Sequence, residues 1–361
     1  MIKKLLMVLS VALMFGACNN TKKTMMPPCS GKTYEICFIV PTATWNTSLG
    51  DTIKNYFSRD IDGLPQSEPQ FTMFHIPKSS FTSQLKAHRN IIDIVISSRN
   101  KDPKLLIKRS HFAKDQLYLR IVAKDIKSFN TFFNSQKELI AKTINDAELM
   151  RTQKYFRKYP SPKVFNAFKK HFNLVLSVPV GYNLNKRTKN FLWTSCETQK
   201  SSEGIFMYRY KYTEDLLKKS NPFETKEVVK RLKKVMEVRI PGPSDGSFMT
   251  VEEKVPVVSK TFSLKGLYVV EHKGLWKVHK DFMGGPFVHY SIVNPEKDMV
   301  YCFFGYVYSP STSKRDMIRK IEAIIKSVKF LDKNEIEKDK KVASETHACP
   351  NASACSKSKK C

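Results

Sequence analysis

The chain has 361 residues and carries 62 Lys and Arg against 33 Asp and Glu, a net charge of +29. Eight cysteines without framework spacing argue against a disulfide scaffold, and basic residues that do not interleave with aromatics in an RNA- or DNA-binding signature argue against nucleic acid as the partner of that charge. The length suffices for two domains with full cores.

In chain order the start reads as an export signal: Lys3 and Lys4 form a basic entry, Leu5 to Phe15 an apolar core, and Gly16-Ala17-Cys18 a small-residue cleavage site. The apolar run is too short to span a bilayer. "FGAC" resembles the lipobox of bacterial lipoproteins, in which the cysteine is acylated, so residues 1–17 are expected to be removed and Cys18 to be the lipid attachment site. Three acyl chains at about 0.8 kcal/mol per buried CH2 would hold the chain firmly on a membrane. Asn19, neither acidic nor basic, points to the outer membrane. Residues 18–33, with little apolar periodicity and two prolines, read as a tether. Export itself argues against nucleic acid and leaves an acidic envelope component, an acidic protein or anionic headgroups as the expected partner.

The first half alternates strands and helices. "YEICFIV", "QFTMFHI", "IIDIVIS" and "DQLYLRIVAKD" read as strands, "TSLGDTIKNYF" and "SSFTSQLKAHR" as helices, and a long helix is expected from Ile126 to Tyr159. The prolines of "YPSPK" mark a domain boundary there.

The second half opens with a helix over Val164 to Lys170 and continues through strand-like "NLVLSVPVGY", "NFLWTSC" and "GIFMYRYKY". A helix follows, with Asn221 expected as N-cap, Pro222 at its first position and Glu224 completing a capping box. Val228, Leu232, Val235 and Met236 form its apolar stripe, and Lys226, Lys230, Lys233 and Lys234 fall on the remaining surface, where they can dock an acidic partner. Strands in "TFSLKGLYVVEHKGLWKV", "FVHYSIV" and "MVYCFFGYVY" lead to an amphipathic helix over Ser313 to Ser327. Mixed order and hairpin spacing predict an α+β fold of two domains, 34–159 and 160–331, each a mixed or mainly antiparallel sheet packed with helices. Residues 332–361 lose all periodicity and read as a disordered basic tail. Its His347, Cys349, Cys355 and Cys361 match no common zinc spacing, and neither a metal nor a cofactor is expected.

Three motifs carry possible chemistry. "MGGPF" lacks the Lys and Thr of a phosphate loop and precedes a strand, so Gly284 and Gly285 are expected to supply positive φ in a turn. With Pro286, Phe287 and Trp276 that turn is a candidate lining of a binding surface. "GPSDG" has the G-x-S-x-G spacing of a nucleophile elbow, with Ser244 as nucleophile and Asp281 and His289 downstream, but extended chain follows it instead of a helix. His272, His279 and His289 lie close in sequence without metal-ligand spacing.

"LPQSEPQF", "HRNII", "FLW", "IPGPSDGSFM", "GLW", "MGGPF" and "GYVYSPSTSKR" together resemble an uncharacterised family of bacterial lipoproteins known as a domain of unknown function, over Tyr34 to Phe330. The resemblance implies a cell-envelope location and adds no activity. The order of the second half resembles the photosystem accessory and nuclear-transport-factor-like α/β/α sandwiches, which implies a binding role. The expected protein is therefore a lipid-anchored, non-enzymatic binding or accessory lipoprotein, with an envelope hydrolase built on Ser244 as the alternative.

Overall fold

The computed structural model describes residues 26–212, 221–294, 296, 298–332 and 334–337; the expected signal segment, Cys18 and the cysteine-bearing end with His347 lie outside the described residues. The first half runs β1 (Glu35–Ile39), α1 (Thr42–Trp45), α2 (Ser48–Phe57), β2 (Thr72–Ile76), α3 (Ser83–Lys86), β3 (Asn90–Ile96), β4 (Lys104–Arg109), β5 (Leu117–Ala123) and α4 (Ile126–Lys158). Its sheet has the order β2-β1-β3-β5-β4, parallel except for β4. β1 and β3 are near-continuous apolar runs because both of their faces are covered, as central parallel strands require. α2 and α4 cover one face, packing Leu49, Ile53, Phe129 and Ile140 on Phe38, Ile92 and Ile121. Asp125 caps α4 reciprocally: its carboxylate accepts from the Ser128 N–H at 2.7 Å, and its own N–H donates to Ser128 Oγ at 3.2 Å.

The other face is covered more thinly. Cys37, Ile39, Ile91 and Tyr118 pack there with the partly buried Phe74, Ile76, Phe81 and Phe112. The segment "SSFTSQLKAHR" was expected to supply a helix; it supplies one turn, α3, after a short 3-10 turn at Lys78–Ser80. The expected tether is also shorter than its composition implies. Lys114 donates to the Pro27 carbonyl at 2.8 Å, Cys29 donates to Lys114 at 3.2 Å, and Ser30 donates to Ala87 at 2.8 Å, so the chain is seated on the domain from Pro27 onward.

The second half runs α5 (Pro162–Phe172), β6 (Leu174–Val175), β7 (Asn183–Thr188), β8 (Phe191–Glu197), β9 (Ser202–Lys211), α6 (Thr225–Arg239), β10 (Phe248–Val251), β11 (Val258–Leu264), β12 (Leu267–His279), β13 (Gly284–Asn294), β14 (Met299–Tyr308), α7 (Arg315–Lys326) and β15 (Lys329–Phe330). An antiparallel sheet of order β10-β12-β13-β14-β9-β8-β7, with β11 also on β12, forms the middle layer. Ile318, Ile321, Ile324 and Ile325 of α7 pack one face against Val288, Tyr290 and Phe303. Val228, Leu232 and Met236 of α6 pack the other against Phe206, Phe287 and Phe304. The fold is α+β, and its second half is layered helix, sheet, helix.

α6 starts three residues later than the expected first position Pro222, at Thr225. Glu224 stands at its N-cap without a side-chain hydrogen bond, and Asn221 instead accepts from the Phe223 N–H at 3.1 Å in a turn before the helix, so the capping box does not form. Among the described residues no helix is long and apolar enough to cross a membrane.

Candidate functional site

The two halves meet along α7. Glu68 of the first half is buried, and its carboxylate accepts from the backbone N–H groups of Lys314 at 2.7 Å and Arg315 at 2.9 Å. A carboxylate thus caps the positive end of a helix from across the seam. The Arg315 guanidinium donates to the Pro69 carbonyl and to Thr72, and Thr33 donates to Asp316 at 3.0 Å. Arg319 donates to the Gln70 carbonyl at 2.8 Å and lies 3.9 Å over the Tyr34 ring.

Beside this seam a cleft of 690 Å³ opens between the halves. Tyr34, Tyr56 and Arg59 line it from the first half, Phe262, Lys273 and Glu322 from the second. At its floor Glu271 and Lys273, two apart on β12 and so on one face, meet Glu322 and Lys326, four apart on α7. Lys273 Nζ is 2.6 Å from Glu322 and 3.7 Å from Glu271; Lys326 Nζ is 3.8 Å from each carboxylate. The buried Tyr290 hydroxyl donates to Glu271 at 2.6 Å. Burial alone would raise the Glu322 carboxyl, yet the charges of Lys273, Lys326 and Arg319 and the Lys273 hydrogen bond hold it below the carboxylate range. Burial would likewise lower Lys273, but Glu322 and Glu271 hold it above its ordinary value. Both therefore stay ionised at neutral pH. Such groups are poor proton shuttles, which need a pKa near the working pH, and good fixed charges for binding. None of these four was singled out by sequence pattern. Their only local signal is a pair of charges at alternate positions in the apolar strand "VVEHKGLW" and an i, i+4 Glu-Lys pair on α7.

The residues expected to form a site are scattered. Gly284 and Gly285 stand inside β13, paired with Lys277 and Trp276, and neither has positive φ. The turn is earlier: Lys280 has φ 63°, and Met283 donates to the Asp281 carboxylate. The glycines are needed for space. A Cβ on Gly285 would lie 2.1 Å from the Val307 carbonyl oxygen, and the Trp276 indole donates to that same oxygen at 3.2 Å. Trp276, Pro286 and Phe287 are buried, so "MGGPF" is packing, not an exposed surface; Phe287 alone of the five reaches the cleft lining.

On α6, Lys226, Lys230 and Lys234 are exposed and form no ion pair with any described residue, while Lys233 pairs with Glu253 at 2.5 Å. Ser244 sits in a turn in which Ser247 Oγ donates to its carbonyl at 2.6 Å; its own hydroxyl faces the Asp281 carboxylate at 3.4 Å. Strand β10 follows where a nucleophile elbow has a helix. His289 is fully buried under α6, with Nε2 3.4 Å from the Tyr208 hydroxyl, and takes no part in that turn.

Residues 161–327 match the model of a domain of unknown function, DUF4837, and residues 29–157 match a second, DUF8532. The two halves of the chain thus each match an uncharacterised family. The junction between the two matches falls at "YPSPK", where α4 ends and α5 begins. No curated protein matches the chain in sequence. Among solved structures it is similar to the protein Mog1, at 8% identity and TM-score 0.29 over 45% of this chain and 94% of that one. It is similar also to LpqN, involved in cell envelope biogenesis of Mycobacterium tuberculosis, at 10% identity and TM-score 0.27 over 44% and 83%. The lipid transfer and protein localization domain of human StarD13 follows at 8% and 0.21, over 41% and 86%. None of these scores reaches the level at which a shared fold follows.

Proposed function

We propose that the protein is a lipid-anchored lipoprotein of the cell envelope that binds an envelope component and catalyses no reaction. The observation that carries the location is the basic and apolar start ending in "FGAC". Binding is supported by the cleft between the halves, whose floor presents both signs of charge from groups held ionised. A polar ligand carrying both signs, or an acidic one that exchanges with Glu271 or Glu322 for their lysines, suits such a floor. The hydrolase alternative finds no support at Ser244, whose hydroxyl faces a carboxylate and makes no hydrogen bond with a histidine among the described residues. Metabolic labelling with a fatty-acid analogue tests the anchor: wild type is tagged and Cys18→Ala is not. Equal labelling of the two would remove the lipid from the proposal.

A further inference from the structure

The charge of the chain is concentrated. Between Lys78 and Lys124 stand eleven Lys and Arg against three Asp, with no Glu. This segment builds the thinly covered face of the first sheet. Lys104, Leu106 and Lys108 of edge strand β4 point to that face, being paired with Val122, Arg120 and Tyr118 of β5. All three are exposed, Leu106 to 48%. Lys86 stands over the half-buried rings of Phe81 and Phe112 on the same side. None of these lysines forms an ion pair with any described residue. Of the two acids among the sheet residues of this face, Asp93 is taken by Arg120 at 2.7 Å and by the Tyr118 hydroxyl at 2.6 Å, and Glu35 lies 3.1 Å from His88. Burial and then the charges of Lys108 and Arg120 hold nearby His111 below its ordinary value, as a positive field does.

The start of the folded chain lies at the rim of this face. Pro27 to Ser30 are hydrogen-bonded to Lys114 and Ala87, next to Phe112 and Lys86 in sequence. Cys18 lies eight residues before Met26, a reach of at most about 29 Å when fully extended. A lipid on Cys18 therefore lets the bilayer reach the side of the molecule where uncompensated lysines flank an exposed leucine.

We propose that the open face of the first sheet lies on the membrane, with Lys86, Lys104 and Lys108 on anionic phospholipid headgroups and Leu106 at the acyl boundary. The inference rests on the lipid anchor for its choice of a bilayer over an acidic protein. An acyl chain with a basic patch is a two-signal attachment, in which the lipid supplies residence and the patch fixes orientation. The cleft, which Tyr56 of α2 and Glu138 of α4 line from the opposite face of that sheet, is then free to meet a partner.

Co-sedimentation of the mature chain from residue 18 carrying Cys18→Ala, and so lacking any lipid, tests this. Vesicles of phosphatidylethanolamine are used with and without phosphatidylglycerol. Binding is expected only where phosphatidylglycerol is present, and it should fall about tenfold or more at high salt as the Debye length shrinks. Replacing Lys86, Lys104 and Lys108 together by Gln should cost about a hundredfold in affinity at an unchanged melting temperature. The same triple change at Lys226, Lys230 and Lys234 should leave binding within about twofold. Equal binding to neutral vesicles, no binding to anionic ones, or full binding by the Lys86 triple variant overturns the proposal. A larger loss from the α6 triple variant overturns it too and moves the contact to that helix. Because the protein carries no acyl chain in this experiment, failed acyl labelling of Cys18 would not change its outcome, so the two readings fail separately.

Discussion

His272 and His289 are fully buried side chains in a layer filled mainly by aromatic and aliphatic groups, with ring centroids 5.7 Å apart. Burial pulls His272 down to about 4 despite the nearby Glu271 charge. Burial, then His272 and Arg231, hold His289 well below the ordinary value. In the unfolded chain both titrate near 6.5. The folded protein therefore binds fewer protons than the unfolded chain as pH falls below that value. The contribution of each neutral histidine is complete above about pH 6.5 and is lost toward pH 4 at up to about 1.4 kcal/mol per unit. Denaturant titrations at pH 7 and pH 5 should show stability lower at pH 5 by on the order of 2–4 kcal/mol. A His289→Phe variant should show a shallower dependence; an unchanged slope would assign the acid sensitivity to other groups. Gly285 shows why single residues mislead when read alone. A glycine pair before a strand reads as a turn, but Gly285 is fixed by the Val307 carbonyl of the neighbouring strand β14, an approach that no local pattern encodes.

At the scale of elements, α7 is held from outside its own domain. Its apolar face is set by Ile318, Ile321, Ile324 and Ile325, but its first N–H groups are satisfied by Glu68, which is 246 residues from Lys314 in sequence. Removing that acceptor leaves two charge-assisted hydrogen bonds unmade at a buried helix end, a loss of about 2–3 kcal/mol. Glu68→Ala should therefore lower the denaturation midpoint and speed proteolysis at the seam, and Glu68→Gln, which keeps one acceptor, should cost about half as much. Equal stability of Glu68→Ala and wild type would mean that water replaces the carboxylate. Elements whose period is set by their own burial were legible: β9, β13, β14, α4 and α7 all lie where apolar alternation or a helical stripe places them. Those stabilised by neighbours were not. β4 ("KLLIKR") is a basic edge strand exposed along most of its length, and β7 ("NLNKRT") is a polar strand held by pairing with β8. "NLVLSVPVGY" has strand composition, yet Leu174 and Val175 pair with β15 and Pro179 makes a single bridge to Pro160, while Leu176 and Val178 pack into the core as irregular chain. "LPQSEPQF" and "GYVYSPSTSKR" were visible as family motifs, and only the fold shows them to be the two sides of one clamp.

For the whole molecule, the cleft decides whether the halves act as one body with a charged floor or as two domains that touch. Lys273 and Glu322 bridge sheet and helix at 2.6 Å, with side chains 24% and 14% exposed, so neither is free to recover full hydration if its partner is lost. Breaking a buried pair from one side leaves an unpaired charge and typically costs about 3–5 kcal/mol, whereas replacing both members by apolar groups of similar size is often neutral. Lys273→Met should fall at the low end, about 3 kcal/mol, because Lys326 at 3.8 Å still opposes part of the Glu322 charge. Lys273→Met with Glu322→Leu should recover most of that loss, while abolishing any ligand binding that depends on fixed charges in the cleft. Urea denaturation of the singles and the double closes the cycle. If the double variant is as unstable as Lys273→Met alone, the pair is not the coupled unit, and the floor charges act through Glu271 and Lys326 instead. If the double variant is stable and still binds whatever envelope material wild type retains, the ligand does not sit on this floor.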